Sequence, residues 1–208
     1  VLTTGGLIGA VIAGFLACGH TSLTRILSFT SILDVGWLTF GIASATSNGW
    51  RGALILLAVR VVAKPLMVLA NGVQQQLARE PTGNRAPQPL ARTRATAGAW
   101  CLGALAMVGF PLTGGFWGMK LLFQTALGMG LLHVVLLGLS VLLAALAYAK
   151  ATRQLFSPDR KPAIGQPEPI VPASVLAVAG VSMVAIGIFP GLVQGVISPI
   201  AASLPFLR

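Results

Sequence analysis

The sequence predicts an all-α fold, a polytopic transmembrane helix bundle of about six spans with one discontinuous helix, on three observations. Of the 208 residues, 55% are hydrophobic and only 9% charged, with a mean hydropathy of +0.86, so a water-soluble fold of this size could not cover its own surface. A helix crosses a bilayer in about 20 apolar residues, and such runs recur near Leu2 to Cys18, Ile26 to Ala45, Ala53 to Val73, Ala95 to Leu127, Leu131 to Lys150 and Ile170 to Ile197. The fourth run is too long for one straight crossing at ~1.5 Å per residue. It is interrupted by Gly109-Phe110-Pro111-Leu112-Thr113-Gly114-Gly115, a stretch of helix breakers. Residues 1–208 read as a single transmembrane domain.

The broken fourth run either turns back as a hairpin or crosses once as a discontinuous helix, and charge asymmetry separates the two. Lys and Arg in short loops accumulate on the cytoplasmic side. With one crossing, Arg25, Arg79, Arg85, Arg92, Arg94, Lys150, Arg153, Arg160 and Lys161 share a side and only Arg51 and Arg208 lie opposite, nine against two. A hairpin moves the last five of these eleven across and leaves six against five. The single crossing is preferred, with the basic loops cytoplasmic and both chain ends on the far face. Interrupted backbone at membrane depth is tolerated where protein or water satisfies it and recurs at ion sites of transporters; the alternative is a Gly/Pro kink that serves packing.

The remaining features are quieter. The polar stretch from Gln74 to Arg94, with Pro81, Gly83, Pro87 and Pro89, and that from Ser157 to Pro169, with Pro158, Pro162 and Pro167, read as connections without folded chemistry. Cys18 and Cys101 sit in apolar segments as small buried hydrophobes. The net charge of +10 comes without a basic stripe interleaved with aromatics, so anionic lipid headgroups are the expected counter-charge and nucleic acid is not a partner. The first residue is Val1, and no charged segment with a small-residue cleavage site surrounds the first apolar run, which argues against a signal peptide. The missing initiator methionine suggests a piece of a longer chain.

Asp34, Arg60, Lys64 and Lys120 fall inside the predicted spans. Each costs at least a few kcal/mol at a helix centre unless it faces a partner or a wet cavity. Arg60 and Lys64, four residues apart, share a helix face where like charges repel. Repulsion and desolvation both favour the neutral form of Lys64, and a lysine able to lose its charge can release and recapture a proton. Pro65 has no N–H for the carbonyl of Val61, so a kink at that point would admit water. Asp34, the only acid of its span, would offset the burial of Arg60 or Lys64, either in an acid–base relay or in a structural ion pair. Lys120 follows the break and either faces a gap in the helix or snorkels to the interface. His133, at the start of the fifth span, and His20, in a loop, are titratable near neutrality but are equally suited to interfacial packing.

No soluble-enzyme site is legible. Two distant histidines give no metal-ligand spacing, no nucleophile motif is present, and Gly114 to Lys120 fails as a phosphate loop because Met119 interrupts its Gly-Lys step.

Three segments resemble a known family. Arg25-Ile26-Leu27-Ser28-Phe29-Thr30-Ser31-Ile32-Leu33-Asp34-Val35-Gly36-Trp37 is similar to the pattern Arg-Leu-Leu-Ala-Tyr-Ser-Ser-Ile-x-His-x-Gly-Tyr of the antiporter-like membrane subunits of respiratory complex I. Arg60-x-x-x-Lys64 followed by Gly72 resembles that family's His-x-x-x-Lys-Ala-Leu-Leu-Phe-Leu-x-x-Gly helix. Gly109-Phe110-Pro111-Leu112-Thr113-Gly114-Gly115-Phe116-Trp117-Gly118 resembles its Gly-Ile-Pro-Pro-Thr-x-Gly-Phe-x-Gly signature at a discontinuous helix. The NADH-quinone oxidoreductase subunit N type fits best, and the likeness covers the later half of such a subunit. The chain departs from the family at Asp34 and Arg60, where it often has histidine, and at Met119, where it has lysine or glutamate, with Lys120 one place later. That step turns a side chain by about 100° on a helix.

The resemblance implies a proton-translocating subunit that carries no redox cofactor or metal and no catalytic chemistry of its own. It would meet NADH and quinone only through other membrane subunits of a complex in a bacterial-type inner membrane. The implied proton pathway runs through Asp34, Arg60, Lys64, Lys120 and His133, beside the break at Gly109, Pro111, Gly114 and Gly115. Because Arg60 stays charged, its implied role is to tune Lys64. A subunit of a cation/proton antiporter or membrane-bound hydrogenase shares these motifs, and a non-pumping scaffold is the bland alternative.

Overall fold

A computed structural model of the chain describes residues 1–79 and 94–155, together with residues 178, 180, 181, 185, 187 and 195. The connection with Pro81, Gly83, Pro87 and Pro89, the stretch from Ser157 to Pro169, and most of the expected sixth span from Ile170 to Ile197 lie outside the described residues. The regular structure of the described residues is helical: α1 (Leu2–Gly19), α2 (Leu23–Ala43), α3 (Ser47–Arg79), α4 (Arg94–Val108), α5 (Gly114–Met129) and α6 (Leu131–Leu155). Four of them, α1, α2, α3 and α6, are long and apolar enough to cross a bilayer alone.

Local chemistry sets the helix ends. After α2, Ser44 donates its Oγ to the carbonyl of Gly41 at 2.7 Å, Ala45 turns at φ +51°, and Thr46 Oγ1 accepts the backbone N–H of Gly49 at 3.1 Å. Thr46 thereby caps one of the amides that α3 leaves unpaired in its first turn. The expected polar connection from Gln74 begins later than predicted, because α3 continues to Arg79; α6 likewise runs beyond Lys150 to Leu155. Gln, Arg and Lys are good helix formers, and an α-helix satisfies its own backbone in water as in lipid. α3 also passes through Pro65 without ending.

The fourth run is two helices, and its break is a capped one. Gly109, at φ +84°, donates its amide to Ala106 O at 3.2 Å, and Phe110 donates to Leu105 O at 2.9 Å, the paired bonds of a helix C-terminus closed by a left-handed glycine. Pro111 cannot continue the helix. Thr113, extended at φ −110° and ψ 152°, then starts α5. Both halves lie along α3 in succession: Gly103 of α4 faces Ala63 and Met67, whereas Gly118 of α5 faces Gly52 and Leu56. A hairpin would have returned α5 to the level of α4; the observed order is a single broken crossing antiparallel to α3.

Contacts at the two ends agree with an up-and-down bundle. At one end Lys150 Nζ donates to Cys18 O at 2.7 Å, Asn71 Nδ2 to Thr24 Oγ1 at 3.4 Å and Trp100 Nε1 to Thr152 Oγ1 at 3.3 Å. At the other, Thr46 and Thr125 meet at 3.5 Å through their hydroxyls. Inside, one apolar cluster joins Ile26, Met67, Trp100 and Tyr148, and a second joins Leu7, Trp37, Phe40 and Leu122. The outer faces are as apolar as the core, with Ile12, Phe15, Val61, Val68, Val135 and Leu142 exposed. In water such a surface would aggregate; against acyl chains it is the expected finish.

Candidate functional site

Asp34 lies midway along α2, Arg60 and Lys64 lie one turn apart near the middle of α3, and the packing of these helices brings the three together. Asp34 Oδ1 is 2.8 Å from Arg60 Nε, and Oδ2 is 3.2 Å from Lys64 Nζ. One carboxylate therefore answers two cations. Neither contact is a well-directed hydrogen bond, since Asp34 Oδ2 and Arg60 Nε have no hydrogen-bond partner among the described residues. The attraction is Coulombic, which is strong where the surroundings are poorly polarisable.

The two cations are held differently. Arg60 is held by Asp34 and by the indole of Trp37, whose ring centre lies 5.0 Å from the guanidinium carbon. Trp37 is anchored in turn, its Nε1 donating to Ser140 Oγ of α6 at 2.7 Å. Lys64 has instead a cage of oxygen acceptors, donating to Thr30 Oγ1 and Ser31 Oγ at 3.0 Å each and to Leu27 O at 3.3 Å. Thr30 and Ser31 give their own hydroxyl protons to Leu27 O, which leaves their lone pairs for the ammonium. An ammonium has three protons; with Asp34 it faces four acceptors. The lysine side chain is 18% exposed, against 7% for Arg60 and 8% for Asp34. Of the three, Lys64 is the one with both a removable proton and an opening to its surroundings.

The other predicted residues stand apart from this cluster. Lys120 is exposed, its ammonium 5.3 Å from the centre of the Trp117 ring, and the side chain that turns into the bundle is Met119, 4% exposed. The one-residue step past Gly118 thus points the charge outward. His133 stacks on Phe40 at 6.0 Å near the α5–α6 turn, at the end of the bundle where Thr46 meets Thr125, and His20 stacks on Phe29 at 5.0 Å. Gly109, Pro111, Gly114 and Gly115 form the break. Between the levels fixed by Gly103 against Ala63 and Gly118 against Leu56, the break lies level with Arg60.

Sequence reading missed Thr30, Ser31, Trp37 and Ser140.

Comparison with known proteins identifies the family of the fold. The sequence model of the family described as NADH:quinone oxidoreductase/Mrp antiporter, TM, matches residues 1–146. The chain belongs to this family. Its relatives in the NADH:quinone oxidoreductase/Mrp antiporter family include NADH-quinone oxidoreductase subunit N of Salinibacter ruber, 31% identical over 201 residues that cover 87% of this chain and 39% of that protein. Subunit N 1 of Solibacter usitatus is 28% identical over 210 residues, covering 97% of this chain and 42% of the relative. The chain thus spans about two-fifths of the length of these relatives and corresponds to their C-terminal half. In fold it is similar to a chain of respiratory complex I from Thermus thermophilus with bound NADH, at a TM-score of 0.83 and 22% identity, over 96% of this chain and 43% of that one. It is also similar to a chain of the Mrp complex from Dietzia sp. DQ12-45-1b, at 0.80 and 18% identity, over 97% and 47%. The chain is a multi-pass membrane protein of the antiporter-like fold.

Proposed function

We propose that this chain is part of a proton-translocating, antiporter-like subunit of a membrane NADH-quinone oxidoreductase, and that Lys64 is its exchangeable proton site. The observation that carries the reading is the shared carboxylate. Arg60 stays protonated and Asp34 is its close counter-ion, so these two sum to zero charge; the proton on Lys64 is then the one variable charge of the site. A neighbouring charge or a small shift of Asp34 toward Arg60 would decide whether Lys64 holds that proton. Thr30 and Ser31, whose hydroxyls rotate freely, can accept from the ammonium or donate to the amine, and so serve both states. The broken crossing lies level with Arg60, and interrupted backbone at membrane depth recurs at ion sites of transporters.

In this reading the redox cofactors, NADH and quinone belong to other subunits, and the partners of this chain are membrane subunits of the complex. The location is a bacterial inner membrane with the basic loops on the cytoplasmic side, as the charge asymmetry favours. Lys120 and His133, away from the cluster, flank the route without an assigned step.

The test is Lys64→Met in the full-length subunit within its complex, assayed in inside-out membrane vesicles for NADH oxidation and proton uptake. Both are expected to fall about tenfold or more, since a positioned proton-transfer group contributes roughly 10²-fold or more to its step. Unchanged turnover and unchanged protons per NADH would refute the assignment. The family description covers Mrp antiporters as well, which favours a second reading, a subunit of a cation/proton antiporter. Copurification separates the two: flavin and iron–sulfur subunits support the first, small membrane subunits alone the second.

A further inference from the structure

Asp34 does not saturate Arg60. The Nε, Nη1 and Nη2 nitrogens of Arg60 are buried and have no hydrogen-bond partner among the described residues, although Nε stands 2.8 Å from Asp34 Oδ1. A guanidinium and a carboxylate frequently meet through two parallel N–H···O bonds, and in that arrangement Arg60 would occupy both oxygens of Asp34. Here Oδ2 faces Lys64 Nζ instead, at 3.2 Å. Part of the buried guanidinium charge is therefore compensated by something other than Asp34.

Trp37 supplies that compensation. The guanidinium carbon lies 5.0 Å from the centre of the indole ring, inside the range of cation–π attraction, which strengthens when the cation is stripped of water. Asp34 and Trp37 are three residues apart on α2 and share one face, so a single helix offers Arg60 a carboxylate and a ring. The ring itself is fixed from α6. Its Nε1 donates to Ser140 Oγ at 2.7 Å, and Ser140 Oγ donates to Leu137 O at 2.7 Å, which leaves a hydroxyl lone pair for the indole. Trp37 and Ser140 are both fully buried. An indole has one donor and no acceptor, so Ser140 takes up the whole of its hydrogen-bonding capacity.

We propose that Trp37, latched to Ser140, is a positioning residue that divides the Asp34 carboxylate: by holding Arg60 at Oδ1 and sharing its charge, the indole leaves Oδ2 to Lys64. Displacement of α6 against α2 breaks the Ser140 bond and frees the ring. Arg60 then draws on both oxygens, and Lys64 keeps only the neutral acceptors Thr30, Ser31 and the carbonyl of Leu27. In this way α6 is the element through which movement elsewhere reaches the charge of Lys64. The device rests on the function proposed above and gives that site its regulation.

Infrared spectra of the intact complex, labelled isotopically at aspartate carboxyl groups, provide the test. The Asp34 band is assigned as the one lost in Asp34→Asn. In Ser140→Ala this band is expected to move, with proton uptake in vesicles reduced several-fold; Ser140→Thr, which keeps the hydroxyl, is expected to match wild type in both. Because the latch acts through Arg60, Ser140→Ala combined with Arg60→Leu should leave the band where Arg60→Leu alone puts it. A band that Ser140→Ala does not move, or moves equally with and without Arg60, overturns the proposal. Should Ser140→Ala fail to assemble, benzothienylalanine at position 37 keeps the ring and replaces only its N–H, by sulfur. It is expected to move the band in the same direction, and an unmoved band again overturns the idea. Lys64→Met, measured in parallel, keeps the two readings distinct. An inactive Lys64→Met with an unmoved Ser140→Ala band removes only the latch, whereas a fully active Lys64→Met removes the proton site, and the band alone then decides how the carboxylate is divided.

Discussion

At the residue scale the site is a charge-balance problem, and its members differ in how visible they are in the sequence. Asp34, Arg60 and Lys64 stand out because charge at membrane depth is costly without compensation. Thr30, Ser31 and Trp37 break no rule of helix composition, and only packing turns them toward the charges. The balance makes a prediction. Asp34→Asn leaves Arg60 and Lys64 buried together without a counter-ion and should destabilise the subunit by about 3–5 kcal/mol, read as a lower thermal midpoint of the solubilised complex. Adding Arg60→Leu removes the orphaned permanent charge and should recover most of that loss. A double variant as unstable as Asp34→Asn alone would show that Arg60 does not share the carboxylate in the way its 2.8 Å contact indicates.

At the element scale the broken crossing depends on glycine for two separate reasons. Gly109 supplies a left-handed cap, and Gly115 supplies room: a Cβ there would meet the carbonyl oxygen of Ala106 across the break. Gly115→Ala is expected to destabilise by about 1–3 kcal/mol, the cost of backbone forced to shift in a packed interior. Gly128→Ala, in the same helix but with nothing within 4 Å, is expected to stabilise by up to about 1 kcal/mol through helix propensity alone. Denaturation midpoints of the two variants on opposite sides of wild type would bear this out. The presence of a break was legible from Gly109, Pro111, Gly114 and Gly115. Where α3 and α6 end was not, because a helix with good formers in its tail runs on past the apolar stretch that reveals it.

At the scale of the whole molecule, the bundle settles how many times the fourth run crosses, and that fixes which loops share a side. The α5–α6 turn at Gly130 and the α2–α3 turn at Thr46 lie at one end, and the α1–α2 turn at the other. Reporter fusions provide the check: alkaline phosphatase is expected to be active when fused after Gly130 and inactive when fused after Arg85, with a cytoplasmic fluorescent reporter giving the reverse. Matching signals at the two positions would mean a hairpin.

The sequence by itself determined the solvent this chain folds in, the apolar centres of its first five spans, the site of the break and the four charges at membrane depth, because all of these follow from one-dimensional composition and from the cost of polar groups in lipid. Only the tertiary structure decided that Asp34 serves both cations, that Lys120 points away while Met119 points in, and that Ser140 of α6 anchors Trp37 against Arg60. Those facts depend on helix rotation and register, and among helices apolar on every side the pattern of residues does not say which face turns inward.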